Sequence, residues 1–331
     1  MAHIFPHVVR AIELSPLAGP LVSSTSAFNR LTAQLTLSER RITRDALKRC
    51  AAILLKCLVA LMGTMCELLG VSFNKPVRFR VSFKAFRRLG EYNPDGWGVA
   101  FYPDESAAIF KEPLKAGASG LASFLERYEG LKSKIFVAHV RRASRGSVSY
   151  KNTHPFCREL FRRMYVFAHN GTLAGFERLE LGVFKPVGET DSEHAFCHLL
   201  HRIQQRGVVE WGREDFDWLA GVLKEINKYG RFNCIFSDGE HLFCYFDVSG
   251  YNGMVFLRRE PPYGKVRLAD EDWEIDLSGE KGPGERGYIV ATKKLTNERW
   301  RELEPGELIV FKDGEMVYSS TDREPGTGRP R

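Results

Sequence analysis

Apolar and polar positions change period several times along the 331-residue chain. From Cys66 to Phe73 an apolar run too short for a helix reads as a strand, and the basic, amphipathic stretch Val77 to Leu89 reads as a helix. Asn93-Pro94-Asp95-Gly96 is the core of a turn lying between Gly90 and Gly98. Trp97–Tyr102 and Ala107–Lys111 follow as a hairpin. Leu121–Tyr128 predicts a short helix, and Lys134–Val140 a buried strand that delivers His139, Val140 and Arg141 at its end. After a polar loop to Pro155, Met164–Ala168 is a further strand, ending in His169-Asn170-Gly171. Two helices then stand together, Thr190–Gln205 and Asp215–Tyr229. Beyond them only strand signals occur: 232–237, 241–247, 254–258, 288–292, 308–312 and 316–319. Turns at Ser237-Asp238-Gly239-Glu240 and Lys312-Asp313-Gly314-Glu315 join two pairs of these. Strands, two adjacent helices and strands again predict an α+β chain of two antiparallel sheets with helices packed outside.

Residues 1–65 lack this punctuation. Pro16, Gly19, Pro20 and the cluster Ser23–Ser26 have the composition of weakly structured chain. Ser38–Met62 reads as a helix capped by Ser38, basic first and apolar later. Its charged and apolar parts lie too far from Met1 for a signal sequence. The apolar stretch Ala51–Met65 is interrupted by Lys56, so no membrane span is expected. The organisation expected is an extension over 1–65, a folded body over 66–320 and a disordered tail over 321–331, rich in Pro, Gly and Arg. Three readings of the extension stand in this order: a start assigned too far upstream, a pro-segment that is cut off, and a retained extension.

Charge changes the picture only in where it lies. The net charge is +7, but eight basic and three acidic residues precede Cys66, so most of the excess belongs to the extension. The body therefore does not read as a nucleic-acid binder. Seven cysteines, odd in number and without CxxC or CxxH spacing, indicate neither a disulfide framework nor a metal site and fit a reducing cytoplasm. No cofactor is called for.

Candidate chemistry starts at Met65-Cys66. A lone Cys in an apolar strand is ordinarily a small buried hydrophobe. If Met65 is an initiator that is removed, however, Cys66 carries a free α-amine beside its thiol. An amine of pKa about 7.7–8.0 can take the proton of a thiol near 8.5. Asn170-Gly171 after a strand reads as a type I′ turn, or as a pair of donors for a developing oxyanion. Arg141 is either a solvated charge, like its neighbours Arg142 and Arg145, or a bidentate carboxylate grip. Thr190-Asp191-Ser192-Glu193 fits a capping box with Asp191 in the first turn, and Asp191 could equally pair with an ammonium. Asp95-Gly96-Trp97-Gly98 is a turn into a strand whose glycines permit close backbone approach. Taken together, a cysteine with an amine, an oxyanion pair, a carboxylate-binding Arg and an ammonium-binding Asp match the four features of a γ-glutamyl amide.

The ordered set Met65-Cys66, Asp95-Gly96-Trp97-Gly98, Ala138-His139-Val140-Arg141, Asn152-Thr153-His154-Pro155, His169-Asn170-Gly171 and Gly188–Glu193 resembles the class II glutamine amidotransferases, closest to their stand-alone members, over Cys66 to about Ser320. The resemblance implies an Ntn-hydrolase fold, a four-layer αββα sandwich. It implies Cys66 as nucleophile with its own amine as base, Asn170 and Gly171 as oxyanion hole, Arg141 on the substrate α-carboxylate and Asp191 on its α-amine. Asp95, Gly96 and His154 would support the pocket. Synthase-linked members carry Trp and His where this chain has Arg142 and Arg145, which implies a differently closed, roomier carboxylate side. The implied activity is hydrolysis of glutamine or of a γ-glutamyl metabolite. Two alternatives are a glutaminase subunit feeding ammonia to a separate synthase and, if the extension is retained, a non-catalytic γ-glutamyl-binding module.

Overall fold

A computed structural model describes residues 66–268, 274–279 and 281–321; the expectations for 1–65 and for the tail past Thr321 lie outside the described residues. Fifteen strands and four helices occur among them. The strands are β1 (Glu67–Arg78), β2 (Gly96–Phe101), β3 (Ala108–Glu112), β4 (Lys132–Arg141), β5 (Phe156–Leu160), β6 (Arg163–Leu173), β7 (Gly230–Ser237), β8 (His241–Tyr245), β9 (Val255–Arg259), β10 (Lys265–Arg267), β11 (Glu274–Asp276), β12 (Gly287–Ala291), β13 (Arg301–Glu302), β14 (Leu308–Lys312) and β15 (Glu315–Ser319). The helices are α1 (Arg80–Leu89), α2 (Gly120–Leu125), α3 (Asp191–Arg206) and α4 (Arg213–Asn227).

Two large antiparallel sheets result, in the orders β13-β9-β12-β1-β4-β2-β3 and β15-β14-β8-β7-β6-β5, and β10 pairs with β11 in a separate two-stranded sheet. The period of two in their strands sorts the apolar residues into three clusters. Leu68 of β1, Ile135 and Val137 of β4, Val166 and Ala168 of β6 and Ile235 of β7 fill the space between the sheets. Leu69, Val71, Phe136 and Ala138 face the other way, onto Phe83 and Phe86 of α1 and Leu125 of α2. Phe167, Phe232 and Phe236 face α3 and α4, where Phe196, Leu199, Leu219 and Leu223 meet them. Helix, sheet, sheet, helix is the four-layer order expected. No helix among the described residues is long and apolar enough to cross a membrane.

This sorting decides where the chemistry goes. On β4 the interior parity of Ile135 and Val137 continues to His139 and Arg141; on β6 that of Val166 and Ala168 continues to Asn170. On β1 it runs from Leu68 back to Cys66. Three candidate residues from two sheets thus share one end of the interior.

Three local expectations are corrected. Val77 and Arg78 belong to β1, past a register shift between Ser72 and Val77, so the first helix begins only at Arg80. Asn170-Gly171 is not a turn: β6 runs on to Leu173, with Asn170 opposite Asn233 and Gly171 opposite Phe232 of β7. The ladder with β7 supplies pairing that the local Asn-Gly preference cannot anticipate. Phe156–Leu160, not read as a strand, is the edge strand β5, partly exposed and without clean alternation.

Candidate active site

Cys66 lies half-buried immediately before β1. Both ends of the residue are held. Its Sγ accepts from the Arg142 N–H at 3.1 Å and donates to the Arg142 carbonyl at 3.2 Å. Its carbonyl accepts from Asn170 Nδ2 and, at 3.1 Å, from Asn252 Nδ2. Among the described residues, no side chain hydrogen-bonds to the thiol. Burial pushes the thiol up to about 11; the Arg142 backbone bonds and the Arg141 guanidinium pull against that, while Glu67 adds to it.

Arg141 ends β4, where interior parity buries it to 3% exposure. Its guanidinium donates to three carbonyls of the following loop, Ser147 at 3.2 Å, Arg145 at 3.0 Å and Gly146 at 3.4 Å. Burial draws its pKa below the usual arginine value, and Cys66, Asp95 and Asp191, all close enough to act on it, oppose that. Arg141 is thus a buried, oriented cation rather than a solvated one.

Asp95 and Gly96 work on the same loop. Asp95 Oδ2 accepts from the Ala143 N–H at 2.8 Å, and its own N–H donates to the Arg141 carbonyl at 3.1 Å. Gly96 is the register partner of Arg141. Gly98 lies so close under the loop that a Cβ there would meet the His154 carbonyl at 2.2 Å. His154 packs on His139, ring centroids 4.2 Å apart, and on Phe156 at 4.6 Å. Burial, then the Arg141 charge, hold His139 down to about 3; burial and the neighbouring cationic groups hold His154 well below the usual histidine value. Both rings are neutral packing under Arg141.

Asn170 is 1% exposed. A Cβ on Gly171 would fall 1.9 Å from the Arg231 carbonyl, so only glycine fits there. Asp191 opens α3. Its Oδ2 accepts from the Leu173 N–H at 2.7 Å, tying the helix to the end of β6, and its Oδ1 accepts from the Ser192 N–H at 3.0 Å. Thr190 Oγ1 caps the Glu193 N–H at 3.2 Å. The Glu193 carboxylate does not return to Thr190 but accepts from the Gly188 N–H and Arg158, each at 2.6 Å, so only half of the expected capping box forms.

The structure therefore gathers Cys66, Asn170, Arg141, Asp95 and Asp191 at one end of the sandwich, with Gly96 and His154 behind Arg141. Sequence reasoning missed the Arg142 backbone, because a main-chain contact has no residue signature. It also missed Asn252 and its support. Asn233 donates to the Tyr251 carbonyl at 2.7 Å and accepts from the Asp247 N–H at 2.9 Å. The turn-rich Ser249-Gly250-Tyr251-Asn252-Gly253 was the one available signal.

A sandwich of this order is the Ntn-hydrolase type of architecture, and sequence comparison gives the family. The profile described as Glutamine amidotransferases class-II matches residues 65–330, and the chain belongs to that family. It is 52% identical over 256 residues to an uncharacterized protein of Methanocaldococcus jannaschii, covering 77% of this chain and 72% of the relative. Against the Escherichia coli protein YafJ, a glutamine amidotransferase by name, it is 41% identical over 259 residues, covering 76% of this chain and all of YafJ. Among solved structures, a Pseudomonas aeruginosa protein titled as a glutamine amidotransferase is 35% identical with a TM-score of 0.59, covering 76% of this chain and all of that one. A Bacillus subtilis glutamine phosphoribosylpyrophosphate amidotransferase shares the fold at a TM-score of 0.53 and 18% identity, covering 77% of this chain and 49% of its own.

Proposed function

We propose that the protein hydrolyses the γ-amide of glutamine or of a γ-glutamyl metabolite, with Cys66 as the first residue of the working chain and its thiol as nucleophile. One observation carries this reading: among the described residues, the Cys66 thiol is bonded only to the Arg142 main chain, with no side-chain base against it. Burial pushes such a thiol up to about 11, so it is held protonated at neutral pH and attack needs a base, and the nearby histidines are buried and neutral. An α-amine on Cys66 itself supplies one at the right pKa. The family profile begins at residue 65, which agrees with a body starting there.

The amine takes the thiol proton, and Sγ attacks the γ-carbonyl carbon. The resulting oxyanion accepts from Asn170 Nδ2 and the Gly171 N–H. An amide nitrogen carries two protons; one Asn170 N–H is engaged by the Cys66 carbonyl, and the other serves the oxyanion. The protonated amine gives its proton to the leaving nitrogen as the C–N bond breaks, and water cleaves the thioester to release the glutamate moiety. Arg141 binds the substrate α-carboxylate, and Asp191 the α-ammonium, with Asp95, Gly96 and His154 as support. A free catalytic thiol suits a reducing, cytoplasmic setting.

Incubation with glutamine and a panel of γ-glutamyl amides tests this. The expected result is glutamate release together with a γ-glutamyl adduct on Cys66 after acid quench. No glutamate from any of them, with the protein folded, contradicts it.

A further inference from the structure

The Cys66 carbonyl has a second holder that the steps above do not use. Asn252 Nδ2 donates to it at 3.1 Å and reaches Glu67 Oε2 at 3.4 Å. Glu67 is itself buried, paired with Lys293 at 2.5 Å and accepting from Thr292 Oγ1 at 2.5 Å. Asn252 sits at φ 58°, a left-handed conformation that Asn tolerates better than most residues. The surrounding loop fixes it there. Asp247 Oδ2 accepts from the Phe232 N–H and from Asn227 Nδ2, both at 2.7 Å. Asn233, directly opposite Asn170, holds the loop at Tyr251 and Asp247. An uncommon backbone conformation held this firmly, aimed at the nucleophile, points to function.

Geometry says what a held carbonyl does. A residue at the start of a chain has no preceding peptide plane to fix its nitrogen. Its amine is placed only by rotation about Cα–C, and its sulfur only by that rotation and χ1. β1 and the carbonyl clamp fix the peptide plane between Cys66 and Glu67, and the Arg142 backbone fixes Sγ. Together they leave one place for the nitrogen. Asn170 has to serve the oxyanion as well, so a second donor that takes no part in the oxyanion keeps the plane still during turnover.

We propose that Asn252 is a positioning residue that holds the Cys66 carbonyl and so aims the α-amine at the thiol. This rests on Cys66 being the N-terminal nucleophile. Among the described residues, the charged and titratable groups facing Cys66 are Glu67 from β1, Arg141 from β4 and Tyr251 from the Asn252 loop, with Lys293 on Glu67 and Asp95 and Asp191 on Arg141.

The test is the pH profile of Cys66 alkylation by iodoacetamide, with glutaminase kinetics, in wild type, Asn252→Gly and Asn252→Asp. Glycine keeps the left-handed backbone; aspartate keeps the shape but cannot donate. In wild type the alkylation midpoint is expected near pH 8, set by the amine–thiol pair. In both variants it moves up by about one pH unit or more, towards the unassisted buried thiol, and kcat falls about tenfold or more with KM nearly unchanged. Variants with the wild-type midpoint, whether or not kcat falls, overturn the positioning role alone. A wild-type thiol that reacts only near pH 11 overturns the N-terminal reading and this inference with it.

Discussion

In the proposed reading Cys66, Asn170 and Arg141, from the two facing sheets, divide the work among three side chains, and each makes a different kinetic prediction. Asn170→Ala removes one oxyanion donor and is expected to lower kcat by about 10²–10³ with little change in KM; steady-state kinetics with an unchanged kcat would reject that assignment. Arg141→Ala is expected chiefly to raise KM, since it removes a contact made equally by substrate and transition state. Arg141→Lys should not restore it, because a point charge does not reproduce the planar fork. At this scale the sequence offered Cys66, Arg141 and Asp191 as candidates by residue type and order, and the fold brings the three to one end of the sandwich. Asn170-Gly171 was legible only as a choice, and the β6–β7 ladder settles its backbone as strand. Arg142 was invisible in its present role, because what it offers the sulfur is its main chain.

Helix α3 shows how an element places a residue. Thr190 caps it, Asp191 anchors its first turn to the Leu173 N–H, and Phe196 stacks on Phe167 of β6 at 5.1 Å. Thr190→Ala is expected to cost about 1 kcal/mol in urea unfolding, with Thr190→Ser largely restoring it. Phe196→Ala, at a position with no exposure, is expected to cost about 3–5 kcal/mol. A loss below about 1 kcal/mol would mean that α3 is not held by that contact. The strong periodicities of α3, α4, β2 with β3, and β14 with β15 were readable to within a few residues. The β1–α1 boundary was not, because Lys75-Pro76 breaks the alternation where the strand resumes past its register shift. β5 was not either, because an edge strand with one exposed face lacks an apolar run.

For the molecule as a whole, three neutral histidines, His139, His154 and His169, lie buried near one end of the sandwich, each held below the usual value mainly by burial. The unfolded chain binds protons at these sites from about pH 6.5 downward, whereas the folded one does so only at lower pH. Between those limits unfolding takes up protons, so stability is fully present above about pH 6.5 and falls as the pH drops towards 3. His154→Phe removes one such site and is expected to flatten the loss of urea midpoint between pH 6.5 and 4.5; an unchanged slope would show that this ring is already protonated in the fold. The two-sheet architecture was legible from the order of strands and helices, but the convergence of β1, β4 and β6 at one end was not, since it depends on which strands become neighbours.

The proposed chemistry depends on the nitrogen of Cys66 being an amine. The most direct measurement is the intact mass and N-terminal sequence of active enzyme purified from its own host. A chain beginning at Cys66 that releases glutamate is the expected result; full activity with the bonds of Thr64-Met65-Cys66 unbroken would contradict it.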